Sequence, residues 1–330
     1  MMMAMSTVPS LHTLLSRLSF RQLRLLTAIA DHRSLSKACE SVALTQPGAS
    51  KALGEMEVAF ETQLFTRTSR GLVPTPFGTI AIRYARLMCT DMAHMREEML
   101  GAAQGRGGRL SIGVIMGAVP LLTRAVNAFL ASHDDVSIEI VEDTSEYLLK
   151  LLEEGRVSMA ICRSAMSAHP ERFDARFLQH ETLSVIANVQ HPLMRHQHVH
   201  LSDLAAYRWV VYSANMPMRL LLEREFAAAG LRLPANLLET TSALVTLSLI
   251  NGNRDLLALL SSEVAQQLTQ TGMARAIDYR IQSVSEPYEI VTRRQVDVSH
   301  LARDFMVTLM AQTADVDAVQ NRGVGRDAPA

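Results

Sequence analysis

The chain has no run approaching the roughly 18 to 20 consecutive apolar residues that a membrane-spanning helix needs, which argues against an integral membrane protein. Its opening stretch, Met1 to Ser10, lacks the basic flank and apolar centre of a secretory signal, so a cytoplasmic location is expected. Cysteine is scarce: Cys39, Cys89 and Cys162 are far apart and lie in apolar patterns, which predicts neither a disulfide framework nor a zinc site. Only Cys162 has a basic neighbour, Arg163, and an inert buried thiol is the simpler reading even there. The chain also lacks a Gly-x-Ser-x-Gly elbow, a phosphate-binding loop and paired cysteine ligands, and no internal repeat is visible. Neither an enzyme nor a bound metal or cofactor is expected.

The bulk numbers are those of an ordinary globular protein. With 330 residues, 48% hydrophobic and 20% charged, two domains are the default expectation. Charge is divided unevenly. From Arg17 to Arg86 ten Lys and Arg face five acids, a surplus of five, so the remainder carries −6 of a net −1. A basic module on an acidic body is the footprint of a polyanion partner, because phosphate contacts dominate nucleic-acid affinity.

Within that basic stretch Phe20, Leu23, Leu26, Ile29 and Ala30 recur at helical spacing, and Ser34 can cap a short second helix that turns Leu35, Ala38, Cys39 and Val42 inward. Thr45 can cap a third helix with Pro47 in its first turn, where a missing N–H does no harm. Ala49, Leu53, Met56 and Phe60 form the inward stripe of this helix and leave Gln46, Ser50, Lys51 and Glu55 outside. The layout is a helix-turn-helix. Gln can read adenine edges, and Ser and Lys can reach phosphate or guanine; a plain solvated face is the competing reading. Leu64 to Arg67 and Leu72 to Pro74 read as two short strands about a turn. The arginines of that hairpin, Arg67 and Arg70, suit a wing on the phosphate backbone, or else serve solubility.

Thr75-Pro76 opens a helix that stays regular to about Ala103, some 28 residues and about 42 Å, before Gly105, Gly107 and Gly108. Ala85, Met88, Met92, Met95 and Met99 follow at steps of 3, 4, 3 and 4, the spacing of a coiled-coil seam. A single buried helix shows the same stripe, but a helix this long between two domains has little of its own chain to cover it. A second copy is the expected partner, which would set two reading helices on a palindrome-like site.

Beyond Gly108 the pattern changes to βαβαβ: strands at Leu110–Val114, Val136–Val141 and Met159–Cys162, with helices at Leu121–Leu130 and Tyr147–Glu154. A second set has strands at Leu183–Ala187, Trp209–Tyr212, Leu237–Glu239 and Leu256–Leu260, with helices at Met218–Ala229 and Ala243–Ile250. Strand patterns return at Ala276–Ile281 and Tyr288–Thr292 before a last helix, Leu301–Ala311. Two α/β subdomains joined by crossing strands are implied, with a ligand cleft at the carboxyl ends of the strands. The polar tail, 313–330, reads as disordered.

Thr45-Gln46-Pro47, Leu64-Phe65-Thr66-Arg67, Arg70-Gly71 and Pro74-Thr75-Pro76-Phe77-Gly78 together resemble the LysR-type transcriptional regulators. The likeness runs over about 17–312 and is most specific from Ser34 to Gly78. Ser16-Arg17-Leu18, Tyr84-Ala85-Arg86, Glu239-Thr240-Thr241-Ser242 and Asp255 to Leu260 are most similar to a galactose-binding-regulator branch.

The resemblance implies an α/β protein with an all-α winged helix-turn-helix at 17–78, a dimerisation helix at 76–105 and a periplasmic-binding-protein-like effector domain at 109–312. Subdomain I would comprise 109–163 and 276–312, and subdomain II 164–275. Carried over residue by residue, DNA contacts fall on Ser34, Ser36, Thr45, Gln46, Pro47, Ser50 and Lys51, with Arg67 and Arg70 in the wing. Effector contacts fall on Met116, Gly117, Ser145, Arg163, Pro217, Met218, Thr241 and Ser242. Double-stranded DNA, RNA polymerase, a small-molecule effector and further copies in a dimer or tetramer are the implied partners.

Three departures from the family pattern stand out. Met116-Gly117 replaces a Ser or Thr whose hydroxyl often holds a carboxylate, Phe60-Glu61 replaces Leu-Gly before the wing, and Gly48 stands where Ala is common. Arg163 and Arg219 can each supply a cation to an anionic effector, a carboxylate or sugar-related metabolite, or can be surface or ion-pair residues. His191, His196, His198 and His200 lack the companions of a zinc site and read as a solvated loop. Sequence-specific control of transcription by a small molecule is therefore the expectation. A small-molecule binding module whose basic head contacts protein is the alternative.

Overall fold

A computed structural model describes residues 9–103, 108–214, 216–270, 272, 274–283, 285–294 and 296–323. The chain divides into two compact units, one of Met1–Arg109 with Lys150–Val157 and one of Leu110–Leu149 with Ser158–Ala330.

The first unit contains α1 (Leu11–Arg17), α2 (Phe20–His32), α3 (Leu35–Ser41), α4 (Gln46–Ala59), β1 (Phe65–Thr68), β2 (Gly71–Pro74) and α5 (Pro76–Ala103). Local chemistry marks each boundary. Ser19 and Gln22 form a reciprocal capping box at the start of α2, and Arg33 ends that helix in the left-handed conformation. The Thr45 hydroxyl accepts the Gly48 N–H at 3.3 Å at the start of α4, with Pro47 in the first turn. Ser34 is the N-cap of α3 by backbone, yet its hydroxyl makes no cap bond. Leu25, Leu26 and Ile29 of α2, Ala38 and Cys39 of α3, Ala49 and Met56 of α4, and Leu64 and Phe65 form one core. Ile82 and Ala85 of α5 complete it. The glycine break expected after α5 falls in part on Gly105 and Gly107, which lie outside the described residues.

The second unit is built on two five-stranded sheets. Its first sheet uses β3 (Arg109–Val114), β4 (Ser137–Glu142), β5 (Met159–Cys162) and β6 (Phe173–Gln179), with α6 (Val119–Leu130) and α7 (Ser145–Glu153) as crossovers. The second uses β7 (Leu183–Asn188), β8 (Arg208–Val211), β9 (Leu238–Glu239), β10 (Leu256–Ser261) and β11 (Ala274–Ala276). Its helices are α8 (Leu201–Leu204), α9 (Pro217–Ala228), α10 (Ala243–Gly252) and α11 (Ser262–Gln270). The chain then returns as β12 (Tyr288–Arg293) and α12 (His300–Gly323).

Strand order is β4-β3-β5-β12-β6 in the first sheet and β11-β7-β10-β8-β9 in the second. β3 and β5 run parallel, as do β8 with β9 and β10, whereas β12 and β7 are antiparallel to their neighbours.

Two expectations are corrected. β6 pairs with β12, so the chain leaves the first sheet at 180–182 rather than after Arg163. Only Phe173 and Leu178 of this edge strand are buried, so it carries no apolar alternation to announce it. The tail is not wholly irregular either: α12 continues through 313–323, a stretch with no helix breaker before Gly323, while 324–330 lie outside the described residues.

Candidate functional site

α3 and α4 with the turn between them expose one polar face. Ser36, Gln46, Pro47, Ser50 and Lys51 are all solvent-exposed, whereas Ala49 and Met56, on the other side of α4, are fully buried. Thr45 is exposed too, but its hydroxyl is engaged in the cap. Lys51 lies 3.8 Å from Glu55 on the same face, an exposed i,i+4 pair that leaves the ammonium available.

The hairpin registers Phe65 with Pro74 and Thr68 with Gly71, which puts Arg67 on a strand and Arg70 at the tip, both exposed. Thr68 stiffens that tip, its hydroxyl donating to the Gly71 carbonyl at 3.0 Å and accepting the Arg70 N–H at 3.2 Å.

The methionine stripe of α5 is exposed at four of its five expected positions. Met88, Met92, Met95 and Met99 are exposed, and Phe77, Ile80 and Tyr84 continue their stripe toward the start of α5. Ala85 is 1% exposed and packs into the core of the first unit, so it is not part of any free seam. Steps of three and four cannot distinguish a face turned to its own domain from one turned to a partner.

In the second unit the carboxyl ends of β3, β4, β8 and β9 surround a cleft of about 250 Å³. Met116, Gly117, Ser145, Arg163, Pro217, Met218 and Thr241 all line it. Ser242 does not; its hydroxyl caps α10 by accepting the Val245 N–H at 3.3 Å. Arg219 also lies elsewhere, 8% exposed and paired with Glu223 at 2.7 Å and Glu239 at 3.6 Å in a separate surface hollow.

Arg163 is the centre of the cleft, but it is not a free cation. Its guanidinium is paired with Glu181, donates to the Ser285 hydroxyl at 3.3 Å, and reaches the Glu286 carbonyl through Nε at 3.2 Å. Its backbone N–H donates to the Ser145 hydroxyl at 3.2 Å. Glu181 lies in the outgoing link between the sheets, and Ser285 and Glu286 in the returning one, so one side chain ties both links together. Burial pushes the Glu181 carboxyl upward, and Arg163 opposes that shift.

Gly117 leaves room for Glu181: a Cβ there would meet Oε1 and oblige that carboxylate to shift. Tyr212 closes the floor with its hydroxyl 3.4 Å from the Met116 sulfur, and burial holds its phenol proton in place. Sequence patterns missed both Glu181 and Tyr212. The strand-end rule reaches Tyr212, which directly follows β8, but no local signal marks an acid in a link segment.

Cys162 is fully buried, and burial raises its thiol pKa, with Glu289 adding to the effect. It is inert by position. Among the described residues no group of His, Cys, Asp and Glu is arranged to hold a metal ion, and no helix is long and apolar enough to cross a membrane.

Comparison with known proteins gives a consistent result. Residues 103–314 match the LysR substrate binding domain, and residues 20–79 match the bacterial regulatory helix-turn-helix protein of the lysR family. The HTH-type transcriptional regulator GbpR of Azospirillum brasilense is 29% identical over 298 residues, covering 90% of this chain and 87% of the relative. GbpR of Rhizobium radiobacter is 31% identical over 74% of this chain and 82% of its own length. The crystal structure of CbnR, a LysR family transcriptional regulator, superposes with a TM-score of 0.61 at 17% identity, covering 90% of this chain and 99% of that one. With both its domains matched in this way, the chain belongs to the LysR family of DNA-binding transcriptional regulators, non-enzymatic proteins that join a helix-turn-helix to a substrate-binding domain.

Proposed function

We propose that this regulator binds a specific operator as paired winged helices, and that a small molecule in the cleft of the second unit controls the DNA bend and the contact with RNA polymerase. Gln46, Ser50 and Lys51 read the major groove, and Arg67 and Arg70 grip the flanking backbone. The methionine stripe of α5 joins two copies, and dimers can pair further into tetramers. Acting on DNA places the protein in the cytoplasm.

One observation carries the control step: Arg163 holds both links between the sheets while lining the cleft. A ligand beside Arg163 acts directly on the segments about which the two sheets can move. Differential affinity for the two arrangements then shifts their populations. In keeping with this reading, a full-length CbnR structure of similar fold was solved with its target DNA.

A gel shift against the DNA upstream of the protein's own gene tests the first step. A discrete complex that resists excess random DNA is expected, and equal competition by random DNA would overturn the operator reading. Circular-permutation bend assays with and without a cleft ligand test the second step; an unchanged bend angle would remove bending from the mechanism.

A further inference from the structure

We infer that the cleft selects a small molecule whose head group donates hydrogen bonds and bears no negative charge, an alcohol or a protonated amine carried on an apolar body. The inference rests on the reading of this cleft as the effector site, and it reverses the expectation that Arg163 would attract an anion.

Three observations lead to it. First, Arg163, the one cation among the described residues lining the cleft, is already neutralised, since it and Glu181 are each 6% exposed and paired, and Ser285 joins the same cluster. An incoming carboxylate would meet a guanidinium whose charge Glu181 already balances and would lie close to that carboxylate, so it would gain less than from a free cation.

Second, Glu181 presents an unsatisfied acceptor. Oε2 takes the contacts from Arg163 and Ser285, while Oε1 faces Gly117 and accepts no hydrogen bond among the described residues. This oxygen is open to the cleft, where an O–H or N–H of a ligand can donate to it.

Third, the remaining charge of the lining is acidic. Glu142, Asp143 and Glu146 stand exposed at the rim with no unpaired cation among the lining residues. Below them Met116, Met216 and Met218 supply a deformable apolar surface for the body of the ligand.

Position 117 supports the same conclusion. Glycine there lets Glu181 lie where a side chain would otherwise stand, so the protein's own carboxylate fills the place next to the start of α6 that an anionic ligand would take.

The test uses the full-length protein and three probes that share one body: 2-phenylethylamine, 2-phenylethanol and phenylacetate, titrated by calorimetry. We expect the amine and the alcohol to bind at least about tenfold more tightly than the acid. Which of the two binds better identifies the head group. Phenylacetate binding as tightly as the others, or no binding by any of the three, would overturn the proposal.

A charge-swapping variant adds a gain of function. Glu181→Gln frees Arg163 and should raise phenylacetate affinity by about tenfold while weakening the amine. A folded variant that still rejects phenylacetate would count against the proposal. If Glu181→Gln does not fold, the exposed pair Glu142→Gln and Glu146→Gln serves instead; it should weaken the amine selectively at low salt, and an unchanged amine affinity would count against the proposal.

Met116→Trp, which fills the cleft, separates the two claims. Acid binding that this variant abolishes sinks the head-group inference and keeps the cleft. Probe binding that survives it sinks the cleft itself.

Discussion

The Leu72 N–H donates to the Arg33 carbonyl at 2.9 Å, so the second strand of the wing is pinned to the end of α2. Gly71 makes this approach possible, with φ at +100° and no Cβ to strike the Arg33 carbonyl oxygen. Gly71→Ala meets both a disfavoured backbone conformation and a collision with main chain that cannot swing away. We expect it to cost about 2–4 kcal/mol, read as a lower unfolding midpoint of the N-terminal module and weaker DNA binding. An unaltered midpoint would show that the wing is not held by this contact.

Glu61 gives the opposite prediction. It has φ of +54° in the turn between α4 and the wing, where most side chains pay for a left-handed backbone. Glu61→Gly should therefore stabilise the module by about 1 kcal/mol, measured as a higher urea midpoint at unchanged slope. Destabilisation instead would mean that the Glu61 side chain makes contacts worth more than the strain.

These two positions show what the sequence reveals and where it stops. The departure at Phe60-Glu61 is visible as a mismatch with the family pattern and reads as local packing; its effect is on backbone conformation, which the fold sets and residue type does not announce. The helix-turn-helix is legible because its signals are local, with Thr45, Gln46 and Pro47 forming a cap, a first turn and an exposed face within three residues. Met116, Gly117 and Pro217 fall in the cleft because strand ends in such sheets converge there. Glu181 was invisible because its meaning comes from Arg163 and Ser285, residues distant in sequence. Ala85 was misplaced for a related reason: periodicity gives a face, not what covers it.

On the DNA side, Gln46→Ala removes an exposed amide at the first position of α4 and leaves the buried stripe untouched. It should reduce operator-over-random discrimination, costing about 1–3 kcal/mol on the operator only. Equal ratios at fixed salt for both proteins would remove Gln46 from base readout. Arg70→Ala should instead weaken all sequences and make the plot of log affinity against log salt shallower by about one. A slope unchanged by the substitution would take the wing off the phosphates.

Met92 and Met95 are 41% and 49% exposed on α5, an apolar surface without cover from the first unit. Glu at both should dissociate the proposed dimer, seen as a halved mass in light scattering, because two charges from each copy would have to be desolvated in an apolar seam. Retention of the dimer would place the seam elsewhere on the helix.

His191 predicts how stability depends on pH. The ring is 1% exposed, sits 4.5 Å from Tyr207 centroid to centroid, and accepts the Leu193 N–H through Nδ1 at 3.1 Å. An accepting Nδ1 places the proton of the neutral ring on Nε2, and that buried nitrogen has no hydrogen-bond partner among the described residues. Burial lowers the pKa below its ordinary 6.5, with Asp255 opposing, so the unfolded chain takes up a proton before the folded one does. The contribution of His191 to stability is then complete above about 6.5, falls as pH drops from there, and is lost once pH is below the folded pKa. Glu225 adds nothing in this interval. Burial pushes its carboxyl up, but donors from Gln282, Ser283 and Tyr279 outweigh that and hold its pKa below the usual carboxylate range, so its stabilisation fades only in more acidic solution. The raised Glu181 carboxyl acts in the opposite sense in both proteins, so urea midpoints between about pH 7.5 and 5.5 should fall more for the wild type than for a His191 variant. They should stay flatter for His191→Asn, whose amide oxygen can replace the cap acceptor without titrating, and equal slopes for the two proteins would show that His191 is not the group responsible.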